Sequence, residues 1–249
     1  MPEVTSHRRH HASLTDSHAS CDDAGSPPGC PPAIRSRIGA DLAGGFYPAP
    51  HRYHLYLSAG CPRSLRVAIT LDLLGLRDAV TTTLLSPDTA SATLEGLHGY
   101  YEATEHHFDG PLTVPALCDR WSGHVVSNHT PDIVRDLACR LAAHGEGLPL
   151  QLRPSSLAAR IDAWHDQLAA PLTPATLEHL NRRLAFRAYL VGDELTAADV
   201  DLWARLVHEP PGTTAAHPDV RAYVRRLHDH PSFRANHPRI GEADHRAAS

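Results

Sequence analysis

The sequence contains no lysine, and its 23 basic residues are therefore all arginine. Long hydrophobic runs are also missing: nowhere do about 18 apolar residues follow one another, which excludes a membrane-spanning helix. No apolar segment follows the basic residues of MPEVTSHRRHH, so we expect no secretory signal and a cytoplasmic location. The formal net charge is -5 and no arginine-rich block occurs, which leaves nucleic-acid binding without an electrostatic basis.

Cysteine is scarce and unevenly spaced. The five cysteines form no Cys-x-x-Cys pair, and their odd number argues against a disulfide framework, so we expect reduced thiols. Histidine is abundant, with 20 residues, but no His-x-x-x-His pair falls on a predicted helix. His7, His10 and His11 lie in a polar tail, and His106-His107 in a predicted loop. The sequence therefore predicts no metal site.

The chain divides into four parts by composition. Residues 1–45 are rich in Ser, His, Asp, Gly and Pro, and we predict a disordered tail because they cannot bury enough apolar surface to offset their ordering entropy. Residues 46–142 mix strand and helix signals, 150–235 carry only helical periodicity, and 236–249 are predicted to be a flexible tail. The boundary between the two structured parts is expected near 143–153.

The part 46–142 has the element order of a thioredoxin-like domain. A strand at 53–58 leads through Gly60-Cys61-Pro62 into a helix, and a β-branched run at 79–85 forms a second, parallel strand. Residues 86–110 are predicted to be mostly loop with one short helix. Two strand-like runs around Ser122-Gly123 then indicate a hairpin, and Thr130 is expected to cap the next helix.

The part 150–235 reads as helix throughout. Helices are predicted at about 155–169, 173–190, 196–208 and 217–229, the third with Thr196 as N-cap and Asp199 at the third helical position. The expected fold class is an α/β thioredoxin-like N-terminal domain followed by an all-α helical domain.

Cys61 is the candidate for nucleophilic chemistry. A thiol at a helix N-terminus is favoured as the thiolate by the helix dipole and free amides, and Arg63 and Arg66 add positive charge nearby. Ser64 stands three residues later, where a second cysteine would close an internal disulfide, so a redox cycle would need an external thiol. The alternative interpretation of Cys61 is an inert buried thiol.

Two further segments are candidates for binding an extended thiol ligand. A cis Val114-Pro115 bond would turn the Val114 backbone toward such a ligand, although a trans proline beginning an edge strand is the alternative. Ser127, Asn128 and Thr130 lie at a strand-to-helix junction, where hydroxyls and free helix amides suit a carboxylate. A simple helix cap would explain the same residues.

These motifs resemble the glutathione transferase superfamily, and within it most of all the Xi class, the glutathionyl-hydroquinone reductases. The resemblance rests on three segments in the right order, which together cover about residues 46 to 230. They are RYHLYLSAGCP at 52–62, TVPALCDRWSGHVVSN at 113–128 and GDELTAAD at 192–199.

The resemblance implies that Cys61 forms a mixed disulfide with glutathione and that the protein is a homodimer. The chain departs from the family in the helical domain, where His208-Glu209-Pro210 replaces an Arg-Phe-Asp segment, and at two places in the candidate site. It has Cys61-Pro62-Arg63-Ser64 where the family has Cys-Pro-Trp-Ala, and His129-Thr130 where the superfamily usually has Glu-Ser. The candidate cosubstrate-binding residues are Arg63, Ser64, Val114, Pro115, Ser127, Asn128, His129 and Thr130.

The sequence thus favours a thiol-dependent transferase or reductase that uses glutathione or another low-molecular-weight thiol as cosubstrate, needs no metal and acts on a quinone-like or other electrophilic small molecule. Two alternatives stay open. One is a tailoring enzyme of specialised metabolism that conjugates or isomerises an electrophile, with mycothiol in place of glutathione. The other is a non-catalytic binding module of the same fold.

Overall fold

A computed structural model describes residues 33–39, 45–145, 150–210 and 212–237. Four strands form one sheet: β1 (Tyr53–Ser58), β2 (Thr81–Leu85), β3 (Ala116–Asp119) and β4 (His124–Ser127). Their order is β2-β1-β3-β4, with β1 parallel to β2 and antiparallel to β3, and β3 antiparallel to β4. The predicted strands and hairpin are confirmed, except that Ala79 and Val80 precede β2.

Three helices belong to this sheet: α1 (Pro62–Leu73), α2 (Ser91–Thr104) and α3 (Thr130–Asp136), the last continuing as a π-helical turn over Leu137–Leu141 and a 3-10 turn over Ala142–His144. The prediction of mostly loop over 86–110 is wrong, because α2 alone spans 14 residues. Only Leu97 and Tyr101 of α2 are buried, which explains its weak helical periodicity.

Five helices follow: α4 (Ala158–Ala169), preceded by a 3-10 turn over Ser155–Leu157, α5 (Pro174–Leu184), α6 (Ala197–Leu206), α7 (Pro218–His228) and α8 (Pro231–Asn236). The four predicted helices are present, although α5 ends at Leu184 rather than near 190. Thr196 is the N-cap of α6, as predicted, and the Asp199 carboxylate accepts a hydrogen bond from the Thr196 amide at 2.9 Å.

The two faces of the sheet are buried by different helices. Because side chains alternate along a strand, Leu55 and Leu57 pack with α1, α3 and the C-terminal helices, whereas Tyr56 packs with α2. The apolar core on the Leu55 and Leu57 side of the sheet continues without interruption to Trp203 and Phe233, both fully buried. The thioredoxin-like half and the helical half therefore share one core, with α1 packed on α6.

Residues at both predicted tails are ordered against this core. Ile34 and Ile38 are buried, and Arg35 forms an antiparallel bridge with Ser127, so the prediction of disorder is wrong for 33–39. Asn236 ends α8 and donates a 2.5 Å hydrogen bond from Nδ2 to Asp72, so the predicted flexible tail does not begin there. In each case a few apolar or hydrogen-bonding side chains are enough to hold a mostly polar segment against the folded protein. Cys21, Cys30 and the three histidines His7, His10 and His11 lie outside the described residues.

Candidate active site

Three chain segments meet at one edge of the sheet. Tyr56 of β1 pairs with Ala116, the first residue of β3, so the end of β1 and the start of β3 lie side by side. Leu117 pairs in turn with Ser127, the last residue of β4. The loop to Cys61, the Val114-Pro115 segment and the start of α3 therefore leave the sheet at the same edge.

Cys61 is the N-cap of α1. Gly60 before it has a φ of +79°, the left-handed conformation that glycine adopts without steric cost, and Pro62 occupies the first turn of the helix. The Cys61 side chain makes no capping hydrogen bond, and the residue is 6% exposed. The thiol thus lies at the positive end of the α1 dipole and makes no hydrogen bond to the helix amides.

The residues after Cys61 have mainly structural contacts. Ser64 is buried, and its Oγ accepts a 3.0 Å hydrogen bond from the Ser58 amide, which fixes the turn between β1 and α1. The predicted contact of Ser64 with a cosubstrate has no support in this arrangement. Arg63 is partly exposed in the first turn of α1. The Arg66 Nε, in contrast, donates a 2.5 Å hydrogen bond to Asp201 Oδ1. The Arg66 charge is therefore balanced by Asp201, and its predicted contribution at Cys61 has no support in this arrangement.

The Val114-Pro115 peptide bond is cis, as predicted. Tyr101 of α2 supports the segment before it, because its hydroxyl donates a 2.7 Å hydrogen bond to the Thr113 carbonyl. Burial raises the pKa of Tyr101 to about 12, so this phenol stays a neutral donor at physiological pH. Sequence reasoning missed Tyr101, since only tertiary packing brings it to Thr113.

Asn128 and Ser127 organise the junction between β4 and α3. The Asn128 side chain donates to Thr113 Oγ1 at 2.9 Å and accepts from the Ile34 amide at 2.8 Å. The Ser127 Oγ accepts from the His129 amide at 3.1 Å. Both predicted binding residues are thus engaged with the protein itself, and they position the loop rather than leave their polar groups open.

His129, and not Thr130, is the N-cap of α3, so the predicted capping role of Thr130 is wrong. Thr130 is fully buried, and its Oγ1 has no hydrogen-bond partner among the described residues. A buried hydroxyl without a partner is costly, and a ligand carboxylate at this helix start would satisfy it.

The His129 imidazole faces a carboxylate that is already surrounded by positive charge. Its Nδ1 lies 2.9 Å from Asp132 Oδ2, and the same carboxylate accepts 2.8 Å and 3.4 Å hydrogen bonds from Arg35 and Arg37. Burial raises the pKa of Asp132, but the hydrogen bonds from His129 and Arg35 outweigh it and hold that pKa well below its usual range. Asp132 is therefore ionised, and its charge is balanced within the protein.

Arg35, Arg37 and Asp132 were not among the predicted site residues. Asp132 and Asp136 are four residues apart and so share one face of α3, and Arg37 also pairs with Asp136 at 2.5 Å. The spacing Arg-x-Arg could have signalled a segment that binds this acidic face, but its proline-rich and serine-rich surroundings concealed it.

A four-stranded thioredoxin-like sheet with a cysteine at the start of its first helix, followed by a helical domain, is the fold of the glutathione transferases. No family model matches the chain. It is 28% identical over 225 residues to the glutathionyl-hydroquinone reductase YqjG of Escherichia coli K12, covering 72% of this chain and 68% of the relative. It is also 28% identical to PcpF of Sphingobium chlorophenolicum, a glutathionyl-hydroquinone reductase, covering 69% and 67%.

The structure of the Xi glutathione transferase of Phanerochaete chrysosporium superposes with a TM-score of 0.69 at 26% identity, over 83% of this chain and 88% of that one. The chain thus resembles the glutathione transferase superfamily, and within it most of all the Xi class. Among the residues that the structure describes, no helix combines the length and apolar character needed to cross a membrane.

Proposed function

We propose that the chain is a thiol transferase or reductase in which Cys61 is the nucleophile and a glutathione-like thiol is the cosubstrate. It is an enzyme of the glutathione transferase kind. The observation that carries the proposal is the meeting of Cys61, Val114-Pro115 and the start of α3 at one sheet edge. This arrangement supplies a nucleophile, an extended backbone and an anion-binding helix start within one groove.

The reaction proceeds in two displacements. The Cys61 thiolate attacks the sulfur of a thiol-substituted electrophile such as a quinol thioether, a sulfur–sulfur bond forms and the carbon–sulfur bond breaks. The ring carbon leaves with the bonding electron pair and takes up a proton. A second cosubstrate thiolate then attacks the cosubstrate sulfur of the mixed disulfide, which releases the disulfide of the two cosubstrate molecules and restores the Cys61 thiolate. The substrate ring is reduced and two cosubstrate thiols are oxidised, so electrons balance.

The residues of the groove have separate roles in this proposal. Thr130 Oγ1 and the first amides of α3 bind the ligand carboxylate, and the Val114 backbone pairs with the ligand backbone. Asn128 and Tyr101 position the two loops. Arg63 lies near the thiol end of the ligand, where it favours the thiolate that forms or leaves.

Peptide-level mass spectrometry of the full chain after incubation with a panel of thiols and disulfides tests the proposal, because it separates adducts on Cys61 from those on the exposed Cys139. We expect an adduct on Cys61 whose mass identifies the cosubstrate, and no such adduct in Cys61→Ser. A Cys61 that stays unmodified with every member of the panel would favour a non-catalytic binding module.

A cosubstrate other than glutathione is the second candidate, and the surroundings of His129 favour it. The γ-glutamyl end of glutathione carries an ammonium group, yet the Asp132 carboxylate already pairs with Arg35 and Arg37 and contacts His129. A thiol with an anionic or hydroxyl-rich end and no ammonium, such as mycothiol, suits this lining better, and the enzyme would then conjugate or isomerise an electrophile with it.

Several expectations stay predictions: a homodimeric assembly, a cytoplasmic location, a thioredoxin-like domain over 46–142 and a helical domain over 150–235.

A further inference from the structure

The end of α2 brings together three side chains that the proposed reaction does not use. Glu102, His106 and His107 each contribute one possible ligand atom, and these atoms all lie within 4.8 Å of one another. Glu102 is partly exposed and both histidines are exposed, so solvent ions reach the group directly. The sequence did not indicate this group, because its spacing is Glu-x-x-x-His-His and not His-x-x-x-His.

The Glu102 carboxylate is oriented by the backbone. Its Oε1 accepts a 3.1 Å hydrogen bond from the His107 amide, and its Oε2 accepts a 2.8 Å bond from the Phe108 amide. Hydrogen bonds of this kind fix the direction of carboxylates that bind metals, and each oxygen keeps a further lone pair. Within the described part of the chain no arginine or histidine forms an ion pair with Glu102, so its negative charge is unbalanced.

The two imidazole rings lie side by side, with centroids 3.9 Å apart and an angle of 37° between their planes. Neither ring has a hydrogen bond to another described residue, so their nitrogens are available to a ligand. Two imidazoles and one carboxylate are a donor set that suits Zn²⁺ and similar borderline dications, whereas Mg²⁺ and Ca²⁺ prefer oxygen ligands throughout.

We propose that Glu102, His106 and His107 form a surface site for Zn²⁺ or a closely similar transition-metal dication, with water completing the coordination. Tetrahedral ligands at 2.0–2.1 Å from zinc lie about 3.3 Å apart, so donor atoms within 4.8 Å of one another need to approach by at most about 1.5 Å. Both histidines are exposed, so rotation of their side chains is the expected route. The site is separate from the groove at Cys61, and the proposed function does not depend on it.

Occupation of the site would also order the loop that follows. The Phe108 amide is bound by Glu102, and the Phe108 ring lies 4.8 Å from that of Tyr101, whose hydroxyl bonds to Thr113. A metal bound by Glu102 and both histidines would hold residues 105–108 against the end of α2. Amide hydrogen exchange in this loop should therefore slow when the site is filled.

Hydrogen exchange read by mass spectrometry on the full, chelator-treated chain tests the proposal, with ZnCl₂ as the probe and MgCl₂ as the comparison. The test variants are Glu102→Gln and the double change His106→Gln with His107→Asn. Asparagine is chosen because residue 107 has a φ of 61°, which Asn tolerates. His144→Gln, a change at an exposed histidine elsewhere, is the matched control.

We expect Zn²⁺, but not Mg²⁺, to slow exchange in residues 103–112 of the unaltered chain and the His144→Gln control. The double variant should need at least about tenfold more Zn²⁺ or show no protection, since loss of even an outer-shell partner costs that much metal affinity. Protection confined to the histidine-rich residues 7–11, or equal protection in the double variant, would overturn the proposal. Equal protection by Mg²⁺ would overturn the role of the imidazoles.

Discussion

Arg66 and Asp201 join the helix that begins at Cys61 to the helical half of the protein. The Arg66 Nε donates a 2.5 Å hydrogen bond to Asp201 Oδ1, and His165 Nδ1 lies 2.9 Å from the other carboxylate oxygen. Burial raises the pKa of Asp201, but the charges of Arg66 and His165 outweigh it, so the pKa of this carboxyl is lowered. The carboxylate is therefore charged at neutral pH, and α1, α4 and α6 share one buried electrostatic contact.

Asp201→Asn should destabilise the protein, because it leaves the Arg66 guanidinium poorly compensated in a largely buried position. We expect a loss of about 3 kcal/mol in the free energy of unfolding by urea, the lower end of the cost of breaking a buried ion pair. Asp162→Asn is the matched control, since its side chain is 42% exposed and pairs with Arg135 and Arg153 near the surface. A loss under about 1 kcal/mol is expected there. Equal effects of the two changes would contradict this assignment.

Cys61 should be alkylated by iodoacetamide well before Cys118. Cys118 is fully buried, and burial raises its pKa far above the usual range for a thiol, so little reactive thiolate forms there. Peptide mapping at graded reaction times gives the order of labelling. Cys61→Ser should abolish thiol–disulfide exchange and keep the fold, whereas Cys139→Ser, at an exposed free thiol, should keep both. Turnover in Cys61→Ser would rule out the covalent route.

Glutathione should bind weakly to the unaltered protein, because its ammonium group meets a carboxylate that Arg35 and Arg37 already neutralise. A missing charge-assisted hydrogen bond corresponds to about 1.5–3 kcal/mol, or roughly tenfold to a hundredfold in the dissociation constant. Calorimetry on His129→Glu should show tighter glutathione binding if glutathione is the cosubstrate, and unchanged or weaker binding if another thiol is, with His129→Gln as the uncharged control. Submicromolar binding by the unaltered protein would show that another acidic group supplies the counter-charge.

The buried pair of Arg52 and Asp119 should make stability fall in acid. The Arg52 guanidinium donates to both Asp119 oxygens, at 2.8 and 2.6 Å. Burial raises the pKa of Asp119, but hydrogen bonds from Arg52, Ser122 and Trp121 outweigh it, and the pKa is lowered. A carboxyl with a lowered folded-state pKa contributes stability that is complete above its unfolded pKa of about 3.9 and is lost as the pH falls toward the folded value.

Asp119→Asn removes this titration and leaves Arg52 unpaired, which should cost about 3–5 kcal/mol at pH 7. Urea unfolding of both proteins between pH 7 and pH 3 measures the difference. We expect it to be constant above about pH 5 and to shrink below about pH 4. A difference that does not change with pH would mean that Asp119 does not titrate with the fold.

The strands and helices with regular burial were predictable from the sequence. Alternation in Tyr53–Ser58 and the Gly-Cys-Pro sequence fix β1 and the start of α1 by local chemistry alone. The length of α2 was predicted too short, because only Leu97 and Tyr101 of this helix are buried and its apolar residues show little helical repeat. Local patterns predicted Cys61 and Thr130 as candidates, but the neutralisation of Asp132 depends on Arg35, nearly a hundred residues away, and no local pattern contains that contact.

The short stretch 33–39 has a consequence for the way the chain folds. Its bonds to Asn128, Asp132 and Asp136 join residues 94 to 99 positions apart in sequence. Such contacts close a long loop and come late, after local helices and hairpins have formed. The stretch is synthesised before the sheet yet can dock only after β4 and α3 exist. Asp132 and Asp136 on the face of α3 therefore gain their arginine partners only once this stretch has docked.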